Sequence, residues 1–214
     1  MSNKQSKTKT TTSQTPSQTS SPIIKKYETN ISHTITITRK EYLLRLREYV
    51  KQMTQFIMTA RFTDTTWEEN QEYRKTLKNM KCIYCSPVEV ARKIPCGALM
   101  YVIEMNNERN QIMGIGLIKN TLLSKSHQVY SDFNYNRYCY GGTLYISRED
   151  LRKEEIPIVE FIEMLCFKGK THMKRNHGIS TFSYSLLFKT SSTINLHEEL
   201  RKMFKSRMQT DTKS

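Results

Sequence analysis

Twelve residues, Phe167-Lys168-Gly169-Lys170-Thr171-His172-Met173-Lys174-Arg175-Asn176-His177-Gly178, carry four fixed positive charges and two histidines without an acid among them. Ammonium and guanidinium groups at that density suit repeated contacts to phosphate oxygens, and imidazoles add hydrogen bonds or a stacking face. Lys168, Lys170, His172, Lys174, Arg175 and His177 are therefore candidate nucleic-acid-binding residues. The competing reading is a solvated basic loop. Arg137, Tyr138 and Tyr140 form a second candidate group. Aromatic rings stack on splayed bases for roughly 1–3 kcal/mol each. Alternation along a strand turns some rings inward, so the pattern leaves Tyr135 and Tyr138 open between a binding face and the core.

Other chemistries find less support. Phe167-Lys168-Gly169-Lys170-Thr171 is similar to the end of a phosphate-binding loop, but the upstream glycine is replaced by Met164 within a helical pattern. Cys82 and Cys85 make a lone C-x-x-C without a second cysteine pair. His172 and His177 could complete a zinc set only if the fold carries them across. In a strand the two cysteines would also face opposite ways, so separate packing is expected. No H-E-x-x-H or comparable spacing is present, and neither cofactor nor metal is expected. The remaining catalytic alternative is a metal-dependent nuclease using Glu104 and His172.

The 34 Lys and Arg residues against 20 Asp and Glu give a formal charge of +14, which biases partners toward polyanions. RNA or DNA comes first and an anionic membrane surface second. No apolar run approaches the roughly eighteen residues needed to span a bilayer, and the start lacks a signal-peptide core. A cytoplasmic or nuclear location is expected. The five cysteines are an odd number; Cys82, Cys96, Cys139 and Cys166 sit beside apolar residues as buried thiols do, and no disulfide framework is expected.

Residues 1–25 read as a disordered basic Ser/Thr-rich tail, poorest in apolar residues over Met1–Ser21, and 26–210 as a single globular domain. The tail either tethers polyanions or merely solubilises. His33–Thr38 alternates as a short strand. Thr38 and Glu41 then form a capping box for a helix running to about Met58, and Thr66 with Glu69 caps a second helix carrying Trp67, either a core anchor or a base-stacking ring. Cys82–Cys85 reads as a strand, Ser86-Pro87-Val88-Glu89 as the start of a short helix, and Ala98–Met105 with Gln111–Ile118 as a hairpin. Gly114 and Gly116 leave one face bare, which permits a bend, a bulge or close approach of another backbone. Further strands are expected at Thr143–Ile146 and Phe182–Phe188, and helices after Pro157 and after Asn195.

These elements predict an α+β domain with a small antiparallel or mixed sheet and flanking helices. Over Lys81–Ile118 the order of strand, capped short helix, Ile94-Pro95-Cys96-Gly97, apolar strand, polar hairpin and Gly-x-Gly strand resembles the PUA-like domains, including their ASCH and YTH relatives. That resemblance implies a small barrel and a preference for RNA. Glu104-Met105-Asn106-Asn107, Gly114–Asn120 and Phe167–His172 also resemble an uncharacterized family of nucleocytoplasmic large DNA viruses. This second resemblance implies a viral protein, located in the host cell or the virion, and brings no chemistry. The expectation is a non-enzymatic nucleic-acid-binding protein, RNA preferred over DNA. The alternatives are a viral structural or protein-interaction module meeting an acidic protein partner, and the nuclease.

Overall fold

A computed structural model describes residues 21–32, 37–169, 172–175 and 178–211. The first helix, α1 (Pro22–Ser32), begins inside the stretch assigned to the tail. Ile23, Ile24 and Tyr27 explain why: they pack on the core, with Tyr27 edge-on to Phe161 at 5.3 Å. The remainder of the tail, and His33–Thr36 of the expected first strand, lie outside the described residues.

A five-stranded mixed sheet in the order β6-β4-β3-β1-β7 organises the chain. Its members are β1 (Gln55–Phe62), β3 (Leu99–Asn106), β4 (Gln111–Lys119), β6 (Leu144–Ser147) and β7 (Ile179–Thr181). β1 and β3 run parallel and the other neighbours antiparallel. A separate two-stranded sheet pairs β2 (Cys82–Ser86) with β5 (Tyr138–Gly142). The large sheet is open at β6 and β7, so the architecture is α+β as expected, without the closed barrel that the PUA-like resemblance implies.

Both faces of the large sheet are covered. Ile57, Tyr101, Ile103, Met105 and Ile115 meet helices α4 (Ile156–Phe167), α5 (Tyr184–Thr190) and α6 (Leu196–Asp211) through Phe161, Leu186, Leu200 and Phe204. Phe56, Met58, Met100 and Val102 meet β2, β5 and the helix α3 (Asp64–Lys75). A strand buried on both faces loses its polar alternation. That is why residues 55–58 read as a helical continuation, although α2 (Arg39–Lys51) ends earlier. Thr38 caps α2 as expected, by accepting from the Glu41 amide at 3.2 Å. Three further expectations are corrected. Thr63, not Thr66, is the N-cap of α3, with Thr66 in the reciprocal position. Ser86–Glu89 forms no helix, and residues 184–188 are helical because the Ser183 hydroxyl caps α5. Among the described residues no helix is long and apolar enough to cross a membrane.

The cysteines also depart from expectation. Cys85 and Cys139, facing each other across β2 and β5, form a disulfide, and Cys96 is exposed in the turn before β3. Cys82 and Cys166 are buried thiols as expected.

The two strand glycines make room for side chains. A register shift between Glu104 and Met105 skips Met113, so Gly114 pairs with Glu104 and Gly116 with Val102. A Cβ at Gly116 would lie 2.1 Å from the Tyr84 hydroxyl oxygen and 2.9 Å from the Cys82 sulfur; one at Gly114 would lie 2.2 Å from the Tyr145 hydroxyl oxygen. Because Tyr84 is fully buried and cannot swing aside, Gly116→Ala is expected to cost about 1–3 kcal/mol in a urea titration. A loss within error would show that the tyrosine is free to move.

Candidate functional site

The Gly-x-Gly face exists to seat a buried ion pair. Glu104 is fully buried; its Oε1 accepts from an Arg74 guanidinium nitrogen and, at 2.7 Å, from the Tyr84 hydroxyl, while the Tyr145 hydroxyl donates to Oε2 at 2.8 Å. The guanidinium carbon stands 4.7 Å from the Tyr145 ring centroid, 5.5 Å from that of Tyr84 and 5.7 Å from that of Trp67. Burial alone would lower the Arg74 pKa, but the Glu104 carboxylate together with Tyr84 and Tyr145 offsets it and holds the guanidinium above its ordinary value. Burial, then the same carboxylate, pushes both tyrosines upward, so they stay protonated donors. Burial also raises the neighbouring Cys82 thiol to about 12, leaving it unreactive. With both oxygens engaged and no water-facing surface, Glu104 is a structural acid rather than the catalytic carboxylate of a nuclease. Trp67 serves as the anchor of this network, packed edge-on to Phe62 at 5.3 Å.

Beside the network opens a pocket of about 310 Å3, at the small end of ligand-site volumes. Phe62 comes from the end of β1, Thr63 and Thr66 from the first turn of α3, Tyr84 and Cys85 from β2, and Tyr130 and Tyr135 from the loop before β5. Tyr130 and Tyr135 meet edge to face, 6.3 Å apart. The Tyr130 hydroxyl accepts from Asn70 at 3.1 Å, and burial raises its pKa, so its ring is held in place as a neutral wall.

The basic segment is tied to the lining of this pocket at Met173 and Lys174. Its amide at Met173 donates to the Cys166 carbonyl at 2.8 Å. Arg61 Nε donates to the Met173 carbonyl at 2.7 Å, and Asn107 Nδ2 to the Lys174 carbonyl at 3.2 Å. Arg61 and Asn107 also line the pocket, as does Gly178 at the end of the segment. Burial draws the Arg61 pKa below its ordinary value. Lys168, His172 and Arg175 are exposed, and Lys174 is half-buried. His172 Nδ1 lies 3.1 Å from the Gly169 carbonyl, and Lys174 Nζ donates to the Asn107 carbonyl at 3.4 Å. Among the described residues no ion pair engages Lys168, Lys174 or Arg175. Lys170 and His177 lie outside the described residues.

The second expected group divides. Arg137 is exposed, with Nη1 donating to Asn134 at 3.3 Å, and Tyr138 is half-buried opposite Ser86. Tyr140 faces inward, 2 % exposed, and its hydroxyl accepts from the Val90 amide, so it cannot stack on a base. Sequence reading missed Arg61, Tyr84, Asn107 and Tyr130, which no local motif joins. For Glu104 a signal existed: an acid inside an apolar strand implies a buried cation, and two glycines on the next strand imply large partners.

No protein-family model, curated protein or solved structure matches this chain.

Proposed function

We propose that this chain is a non-enzymatic nucleic-acid-binding protein whose basic segment follows a phosphate backbone while the adjoining pocket admits one unpaired base. The supporting observation is that the backbone at Met173 and Lys174 is tied to Arg61 and Asn107 in the lining of an aromatic-walled pocket, while Lys168, Lys174 and Arg175 have no carboxylate partners among the described residues. Charge supplies sequence-independent attraction, and rings supply a surface any base can stack on. A paired base could not enter, so single strands are favoured over duplex. The open sheet removes the fold-based reason to prefer RNA, and both nucleic acids belong in the test.

Titrating uridine and thymidine oligonucleotides at several salt concentrations checks this reading. Replacing Lys168, Lys174 and Arg175 together by Ala is expected to weaken binding and to flatten the logarithmic salt slope by roughly 0.7 for each phosphate no longer neutralised. Tyr135→Ala is expected to cost roughly 1–3 kcal/mol of affinity with the salt slope unchanged. An unaltered slope in the triple variant would shift the basic face to an acidic protein partner instead.

A further inference from the structure

We propose that the Cys85–Cys139 bond is a reversible redox switch for the pocket, the oxidised form being the one that binds; this rests on the nucleic-acid reading above. Position argues for it. As strands β2 and β5 pair only with each other, five residues against five, and the two cysteines are 54 residues apart in the chain. A two-stranded sheet has little stability of its own, so this one depends on packing against the large sheet, and bringing its distant strands together carries the entropy of loop closure. The disulfide supplies that closure next to the last pair of the ladder, Ser86 with Tyr138.

That end of β2 is where the pocket and the basic segment meet. Tyr84 and Cys85 line the pocket, and Gly178 lies so close to Ser86 that a Cβ on it would stand 2.0 Å from the Ser86 hydroxyl oxygen. Gly178 has a φ of +58°, a conformation that glycine reaches without cost. Releasing β2 from β5 would therefore remove the shared support of an aromatic wall and of the segment's far end. The remaining cysteines do not compete for the role: Cys82 and Cys166 are buried, and Cys96 sits apart in an exposed turn.

The chemistry requires a small thiol such as glutathione. Its thiolate, entering through the pocket, attacks the Cys85 sulfur; the disulfide breaks, and Cys139 leaves with the electron pair and takes up a proton. A second glutathione thiolate then attacks the mixed disulfide, Cys85 leaves and is protonated, and glutathione disulfide is released. Two electrons pass from two glutathiones to the protein, and oxidation by glutathione disulfide retraces the path.

The full chain carrying Cys96→Ser, equilibrated in glutathione buffers, provides the test. Alkylation and mass spectrometry report the thiol state, circular dichroism the fold, and anisotropy the affinity for a uridine oligonucleotide. Reduction is expected to leave the protein folded and to weaken binding by about tenfold, with reoxidation restoring it. Reciprocity then demands that saturating oligonucleotide shift the thiol–disulfide equilibrium toward the disulfide by the same factor. On the oxidised protein alone, bound oligonucleotide should also slow the attack of glutathione on Cys85. Equal affinities in the two redox states, or an attack rate that the oligonucleotide leaves unchanged, would overturn the switch while sparing the binding function. Unfolding on reduction would make the bond a structural staple and overturn it too. Binding by neither form would overturn both readings.

Discussion

Glu104→Gln is expected to destabilise the protein by about 3–5 kcal/mol, the characteristic loss when one member of a buried ion pair is removed and the other charge stays in the core. Arg74 is the charge left behind. Its side chain is 7 % exposed, and the three rings around it attract a cation but cannot replace a carboxylate. The Tyr84 and Tyr145 hydroxyls would at the same time lose their charged acceptor. Urea titration measures the loss, and a second variant separates its causes. If the cost comes from the stranded guanidinium, Arg74→Met in the Glu104→Gln background restores part of it, so that the double variant is more stable than Glu104→Gln alone. Had Glu104 been a catalytic acid, its amide would spare stability and abolish metal-dependent cleavage. A loss below about 1 kcal/mol would mean that Arg74 can reach water or another partner.

The same residues show how far a sequence carries this kind of inference. The hairpin of β3 and β4, the helix opened by Pro157 and the cap at Asn195 were legible because each is specified within a few adjacent residues: a polar turn between apolar runs, a proline at a helix start, a side chain accepting from the amide three positions on. β1 was hidden because burial on both faces removes alternation. Residues 182–188 were misread because Phe182, Tyr184, Leu186 and Phe188 satisfy a period of two over a stretch too short to exclude a helical one, and the deciding contact is the Ser183 cap. Charge is a local property, so the basic segment was visible. The pocket was not, since β1, α3, β2, the β3–β4 turn, the loop before β5 and the residue preceding β7 each contribute only a residue or a few, and only the tertiary fold brings them together.

Loss of the disulfide is the other large effect, and its origin lies in the unfolded chain. Cross-linking residues 54 positions apart removes closure entropy worth roughly 4 kcal/mol, so the Cys85→Ala, Cys139→Ala double variant should lose about that much in urea. A domain of this size has about 5–15 kcal/mol to lose, which lets the variant stay folded while its weakest pairing loosens. The loosening should be unequal. β3 has β1 and β4 on its two sides, whereas β2 has only β5, so hydrogen exchange should accelerate at β2 and β5 amides well before those of β3. Reductant should move the wild-type urea midpoint to the position of the double variant and leave the double variant unmoved. A wild-type midpoint indifferent to reductant would mean that the β2–β5 ladder holds without its cross-link, and the redox switch would lose its physical basis along with the stability argument.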